Sequence, residues 1–241
     1  MRGGMKAVVY TAYFGKKEPL NTDCFGGWES LERVVITDDP GLEAPHADRI
    51  IHDPLNGLDP ARASRRGKLM PHRFFPEYDW SLYIDNNVTL LSDPADLIAA
   101  IAARPGSGFH CFRHIRRNCI YDEALACIRL GKDDPAVIRR QMKLFQAVGL
   151  PRRAGLITGT FLVRRHNDLV LQELGERWFD TVIRGSRRDQ LAFNYIAWMM
   201  RFRPDYLKGT VLDNSLMRWP VYTEDMRRQE FPRVENPSLF L

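Results

Sequence analysis

A chain of 241 residues with 44% hydrophobic and 27% charged side chains has the composition of a globular protein, long enough for one large α/β domain. No apolar run approaches the ~18 residues that a membrane span needs. The formal charge of +5 suits an anionic ligand but is too mild for a dedicated nucleic-acid binder. Cys24, Cys111, Cys119 and Cys127 have no Cys-x-x-Cys spacing, so reduced thiols in a cytoplasmic protein are expected rather than zinc or disulfides. The first residues lead into a strand pattern without a signal-peptide core.

Residues 6–13 read as a buried strand. It carries Thr11 and Tyr13 near its end and runs into Phe14-Gly15-Lys16-Lys17. A phosphate would suit those lysines; two solvated side chains beside a turn glycine suit them equally. Residues 33–37 form a second strand ending in Asp38-Asp39-Pro40, where Asp38 either accepts hydrogen bonds from a ribose or base or caps a turn. A short third strand spans 48–52. The pattern then turns helical over 59–69, with Asp59 as cap and Pro60 in the first turn. Arg62, Arg65 and Arg66 share a face there and Lys68 follows, as a diphosphate clamp or as solvated charge.

The stretch 79–94 organises the chain. Trp80, Leu82, Tyr83 and Ile84 predict a strand covered on both faces, which stops at Asp85-Asn86-Asn87. Open α/β sheets bind ligands beyond the carboxyl ends of their strands. A carboxylate there, with an amide two residues on, is able to hold a divalent cation against phosphate oxygens. The alternative is an ordinary polar turn. A short apolar run at 88–91 precedes Ser92-Asp93-Pro94, which opens a helix over 96–103. Beyond the breaker at 104–108, a strand at 109–112 ends in Arg113-His114-Ile115-Arg116-Arg117-Asn118, the densest cationic group. It is an anion-binding loop or a surface patch.

Two amphipathic helices follow at 121–130 and 135–148, the second closed by Gly149. A strand at 155–164 contains Gly159, which lets a ligand approach the backbone. A helix spans 168–183. Ser186 and Asp189 then have the spacing of a capping box opening an apolar helix at 191–200, a role in which Asp189 needs no chemistry. One more strand is expected at 209–212. Residues 1–218 read as one domain, and 219–241 as a tail rich in proline and charge that packs on it or on a partner.

A set of motifs taken together carries a resemblance. They are Pro71-His72-Arg73-Phe74-Phe75-Pro76, Tyr83-Ile84-Asp85, Phe112-Arg113-His114, Tyr121-Asp122-Glu123-Ala124, Gly155-Leu156, Arg164-Arg165-His166-Asn167-Asp168 and Ser186-Arg187-Arg188-Asp189-Gln190-Leu191. In this order and spacing, over residues 5–200, the chain resembles the glycosyltransferase-like family first catalogued as a domain of unknown function. That family has plant members linked to mucilage and turgor and many bacterial ones. The resemblance implies a single α/β domain of the glycosyltransferase A type, with a mostly parallel central sheet flanked by helices. It implies a nucleotide-diphospho-sugar donor, and a saccharide or glycoconjugate acceptor. Nucleic acid is not an expected partner, and no feature sets an oligomeric state.

The resemblance further implies a divalent cation, Mn2+ or Mg2+, at Asp85 and Asn87. Asn87 stands where such enzymes carry a second carboxylate, and a neutral amide is the poorer ligand. His166 is the last histidine, so no histidine lies near the C-terminus to complete such a site. Donor binding would fall to Thr11, Tyr13, Asp38, Arg62, Arg65, Lys68, Asp85, Arg113, His114, Gly159 and Gln190. A cation must meet the charge of the leaving diphosphate, and Asp189 is the candidate to deprotonate the acceptor or hold the sugar's hydroxyls. Three other activities compete. A sugar nucleotidyltransferase needs a glycine-rich first loop, but this one has only Gly15. A metal-dependent hydrolase would use Asp85, His110 and His114, which lack helical ligand spacing. A non-catalytic binder of acidic polymers would need the arginines alone.

Overall fold

The computed structural model describes residues 5–222; the rest of the expected tail, 223–241, lies outside the described residues. The strands are β1 (Ala7–Tyr13), β2 (Glu32–Thr37), β3 (Arg49–His52), β4 (Trp80–Asp85), β5 (Thr89–Leu90), β6 (Phe109–Arg113), β7 (Ile157–Arg164), β8 (Asp205–Tyr206) and β9 (Met217–Arg218). Seven of them form one sheet in the order β3-β2-β1-β4-β7-β6-β8. Only β7 runs against the others. The chain winds outward from β1 through β2 and β3, then returns to place β4 on β1's other side. The carboxyl ends of β1 and β4 therefore bracket the point where strand order reverses, with Ala12 in register with Asp85.

The described residues form seven α-helices: α1 (Pro60–Ala63), α2 (Arg65–Leu69), α3 (Pro94–Ala102), α4 (Ile120–Arg129), α5 (Pro135–Ala147), α6 (Leu169–Arg184) and α7 (Gln190–Met199). Alternation along the strands supplies two cores. Val8, Tyr10, Tyr83 and Leu162 point to the face carrying Leu174, Trp178 and Phe193. Val9, Leu82, Ile84 and Val163 point to the face carrying Ile98 of α3. This is why the central strands read as nearly continuous apolar runs. A third cluster joins α4, α5 and α7 through Ile120, Ile138, Phe145 and Leu191.

Two expectations need correction. The helix predicted over 59–69 is two short helices meeting at Ser64, whose hydroxyl donates to the Ala61 carbonyl. The strand predicted at 209–212 is a turn closed by Thr210 and Asp213. The extended pieces lie on either side of it, as β8 beside β6 and β9 beside β5. All four cysteines are buried and free. Among the described residues no helix is long and apolar enough to cross a membrane.

Helix α2 is held unusually closely. The Tyr10 hydroxyl donates to the Gly67 carbonyl, and buried Arg164 donates to the Lys68 carbonyl at 2.7 Å and to the Tyr10 oxygen at 2.6 Å. On its outer side, a Cβ added to Gly175 of α6 would stand 2.4 Å from the Leu69 carbonyl oxygen. Gly175→Ala is expected to push α2 off α6 and cost about 1–3 kcal/mol, measured by denaturant unfolding. Unchanged stability would mean that α2 is not pinned there.

Candidate active site

Lys68 lies at the centre of the site. It is almost fully buried, and its ammonium lies 3.2 Å from Asp85 Oδ1 and 2.9 Å from Asp189 Oδ2. One turn earlier on α2, Arg65 reaches the other Asp189 oxygen at 3.3 Å. Asp85 comes from the end of β4 and Asp189 from the start of α7, so a short basic helix joins two elements that are remote in sequence. The Tyr83 hydroxyl donates to Asp85 Oδ1 at 2.7 Å, and the Lys68 ammonium lies 5.1 Å from the centre of the Tyr83 ring. Gly159 on β7 completes the floor: a Cβ there would come within 3.3 Å of Lys68 Nζ and 3.4 Å of Asp189 Oδ2.

Asp189 does not cap its helix. It makes no side-chain capping bond, and the local loop is tied instead by Asp133 from the α4–α5 turn. Asp133 accepts from the Ser186 hydroxyl at 2.6 Å and from the Arg187 N–H at 2.8 Å. The Asp189 carboxylate is thereby free to turn inward. Burial alone would push its carboxyl up, but the charges of Arg65 and Lys68 outweigh burial and hold it well below the usual carboxylate range.

These residues line a cleft of about 390 Å³ with the 114–117 loop, Arg188 and Trp219. Five guanidinium or ammonium groups (Arg65, Lys68, Arg116, Arg117, Arg188) face three carboxylates (Asp85, Glu123, Asp189), leaving an excess of positive charge. Arg117 is paired with Glu123. Arg188 Nε and the Thr160 hydroxyl are buried without a hydrogen-bond partner among the described residues. His114 Nδ1 accepts the N–H groups of Arg116 and Arg117 at 3.2 and 3.0 Å. Burial pushes its imidazole below the ordinary histidine range despite Glu123 nearby, so the neutral ring shapes the loop.

Of the predicted residues, the structure brings together Arg65, Lys68, Asp85, His114, Gly159, Asp189 and Gln190. Gln190 is steadied by donating to the Ile157 carbonyl at 2.6 Å. The others go elsewhere. Arg62 pairs with Asp59 and donates to the Val182 and Gly185 carbonyls, fastening α1 to the end of α6. Thr11 is wholly buried. The Tyr13 hydroxyl donates to the Glu18 carbonyl, and Asp38 accepts the Gly15 N–H, so both shape the β1 loop. Arg113 lies over the Tyr206 ring, facing a different cavity. His110 stands 3.6 Å from Asp205 and is not part of the cleft, which removes one member of the hydrolase set.

The Asp85-Asn86-Asn87 corner divides its labour. Asn86 donates to the Pro19 carbonyl and accepts the Asn21 N–H. Both ends of the Asn87 amide are taken by the backbone of Tyr222, at 3.1 and 2.5 Å. Only Asp85 faces the cleft, and Lys68 already lies against it. Among the described residues no cluster of three His, Cys, Asp or Glu side chains has metal-binding geometry. With the Asn87 amide held by Tyr222 and the Lys68 ammonium against Asp85, these two residues do not present a pair of free oxygens to a divalent cation. Glu123, Thr160, Arg188 and Trp219 belong to the cleft but were not singled out by sequence reasoning. For Glu123 and Arg188 the signal was present, because both fall inside motifs that carried the resemblance.

A sheet reversing order at β1 and β4, with a polar cleft beyond β4, is the architecture of glycosyltransferases of the A type. Mouse xyloside xylosyltransferase 1 in its apo form superposes with a TM-score of 0.50 over 84% of this chain and 85% of that one, at 10% identity. The WbbM bifunctional glycosyltransferase apo structure gives a TM-score of 0.49 over 85% of this chain and 39% of that one, at 9% identity. The family model described as TOD1/MUCI70, glycosyltransferase-like domain, matches residues 50–214, and the chain belongs to that family. The Arabidopsis thaliana protein "Probable hexosyltransferase MUCI70" is 28% identical over 198 residues, 78% of this chain. The match spans 34% of that relative's length.

Proposed function

We propose that the chain transfers a glycosyl group from a nucleotide-diphospho-sugar to a saccharide or glycoconjugate acceptor. The observation that carries this reading is the Lys68 ammonium held between Asp85 and Asp189 in a cleft where cations outnumber carboxylates. When the bond between the anomeric carbon and the β-phosphate oxygen breaks, its electron pair stays on the diphosphate. Fixed positive charge lining the cleft stabilises that developing anion. Lys68, Arg65, Arg116, Arg117 and Arg188 supply it, with no step assigned to a metal.

The sugar lies against Gly159, where a side chain would fill the space. Asp189, with its carboxyl held well below the usual range, is a poor proton acceptor; its role is to accept hydrogen bonds from the sugar and to hold Arg65 and Lys68. Asp85, whose side chain is 31% exposed, is the carboxylate that an acceptor's proton is able to reach. Calorimetric titration with uridine and guanosine diphosphate, each with and without manganese, tests this. One of the two should bind in both conditions with an affinity that manganese changes less than threefold. Absence of binding by either, in both conditions, would overturn the reading and leave a non-catalytic binder.

A further inference from the structure

A second and larger cavity, about 1140 Å³, is lined by Arg113, Arg153, Arg201 and Arg203 with Trp198 and Tyr206. None of these four guanidinium groups has a carboxylate within ion-pairing distance among the described residues. Their neighbours in sequence do: Arg152 pairs with Asp122 and Arg117 with Glu123. Asp205, the one carboxylate on the cavity wall among the described residues, is engaged by the Ser107 N–H and hydroxyl at 2.6 and 2.9 Å. Trp198 keeps 36% of its surface exposed, and Arg113 lies 3.7 Å from the centre of the Tyr206 ring. A concave surface with four guanidinium groups unpaired among the described residues and a partly exposed indole has both chemistries needed for a charged sugar. Guanidinium forks bind carboxylates in a bidentate fashion, and an aromatic face receives the apolar face of a pyranose ring.

We infer that this cavity binds a carboxylate-bearing saccharide, a chain of uronic-acid units, as the acceptor. The inference rests on the glycosyl-transfer reading and adds the acceptor's class to it. The volume exceeds the roughly 300–1,000 Å³ typical of a small-ligand pocket, as an oligomer requires. The 113–118 loop borders both cavities, with Arg113 and Asn118 on the larger one and His114 to Arg117 on the smaller. The loop that borders the Asp85 and Lys68 cleft is thus continuous in sequence with two residues on the wall of the larger cavity.

The test is calorimetric titration of the full chain with a uronic-acid hexamer, its fully methyl-esterified counterpart and an RNA oligonucleotide of equal charge. The hexamer should bind at least tenfold more tightly than the ester, and Arg153→Ala with Arg203→Ala should weaken it at least tenfold. Both side chains are exposed, so the unfolding midpoint of the double variant serves as the folding control. Equal binding of acid and ester, no binding of either, or tighter arginine-dependent binding of the RNA would each overturn the inference. A chain that binds the hexamer but no nucleoside diphosphate would sink the transfer reading and leave the saccharide site standing. The reverse result would remove only the saccharide site.

Discussion

Lys68→Met is expected to abolish nucleoside-diphosphate binding and to lower stability by about 3 kcal/mol, the lower end of what breaking a buried pair costs. Methionine keeps the length and apolar stem of lysine, so packing along α2 is retained and only the charge is lost. Asp189 would still have Arg65, which is why the lower end applies, but Asp85 would lose its cation. Asp85 and Asp189 would then face one cleft without the ammonium that separates them. Protonation relieves that repulsion, so the deficit should shrink as the pH is lowered toward 4. Urea unfolding at neutral and acid pH, with calorimetry on the same samples, measures both effects. Wild-type affinity for the diphosphate, or a stability change below about 0.5 kcal/mol, would contradict the role given to Lys68.

Asp189→Asn tests the same cluster from the opposite charge. It would leave Arg65 and Lys68 buried with one carboxylate fewer, again at a cost of about 3–5 kcal/mol at neutral pH. The sign of the pH dependence follows from the direction of the shift. A carboxyl depressed in the folded state contributes its stability above its unfolded value, near 3.8, and loses it as the pH falls toward the folded value. Wild-type stability should therefore fall below about pH 4 more steeply than that of the Asn variant, and the two curves should converge in acid. Parallel curves would mean that Asp189 is not the ion-paired group described. In turnover, the variant should lose kcat as well as donor affinity, because Arg65 loses its carboxylate partner and Lys68 one of its two.

How much of this was legible in the chain depended on how local each cause was. The buried strands were readable because Val8 to Tyr10 and Trp80 to Ile84 are covered on both faces, which leaves a continuous apolar signature. Asp85 was readable because a polar residue at the end of such a strand has only the sheet's rim to occupy. The capping-box pattern misdirected Asp189, since the residue that ties that turn is Asp133, more than fifty positions upstream. The same limit applies to Asn87, whose amide is taken by Tyr222, 135 positions away. In the basic helix, spacing grouped Arg62, Arg65 and Arg66. The break at Ser64 instead joins Arg65 with Lys68 and turns Arg66 to Asp53. Strands of two residues, such as β8 and β9, carry too little alternation to be seen.

The most direct measurement is a crystal structure of the chain with uridine diphosphate bound. The β-phosphate should lie within hydrogen-bonding reach of Lys68 Nζ and of at least one of Arg65 and Arg188, with Asn87 still holding the Tyr222 backbone. A diphosphate bound away from Lys68, or an Asn87 amide swung round to share a metal ion with Asp85, would contradict the account.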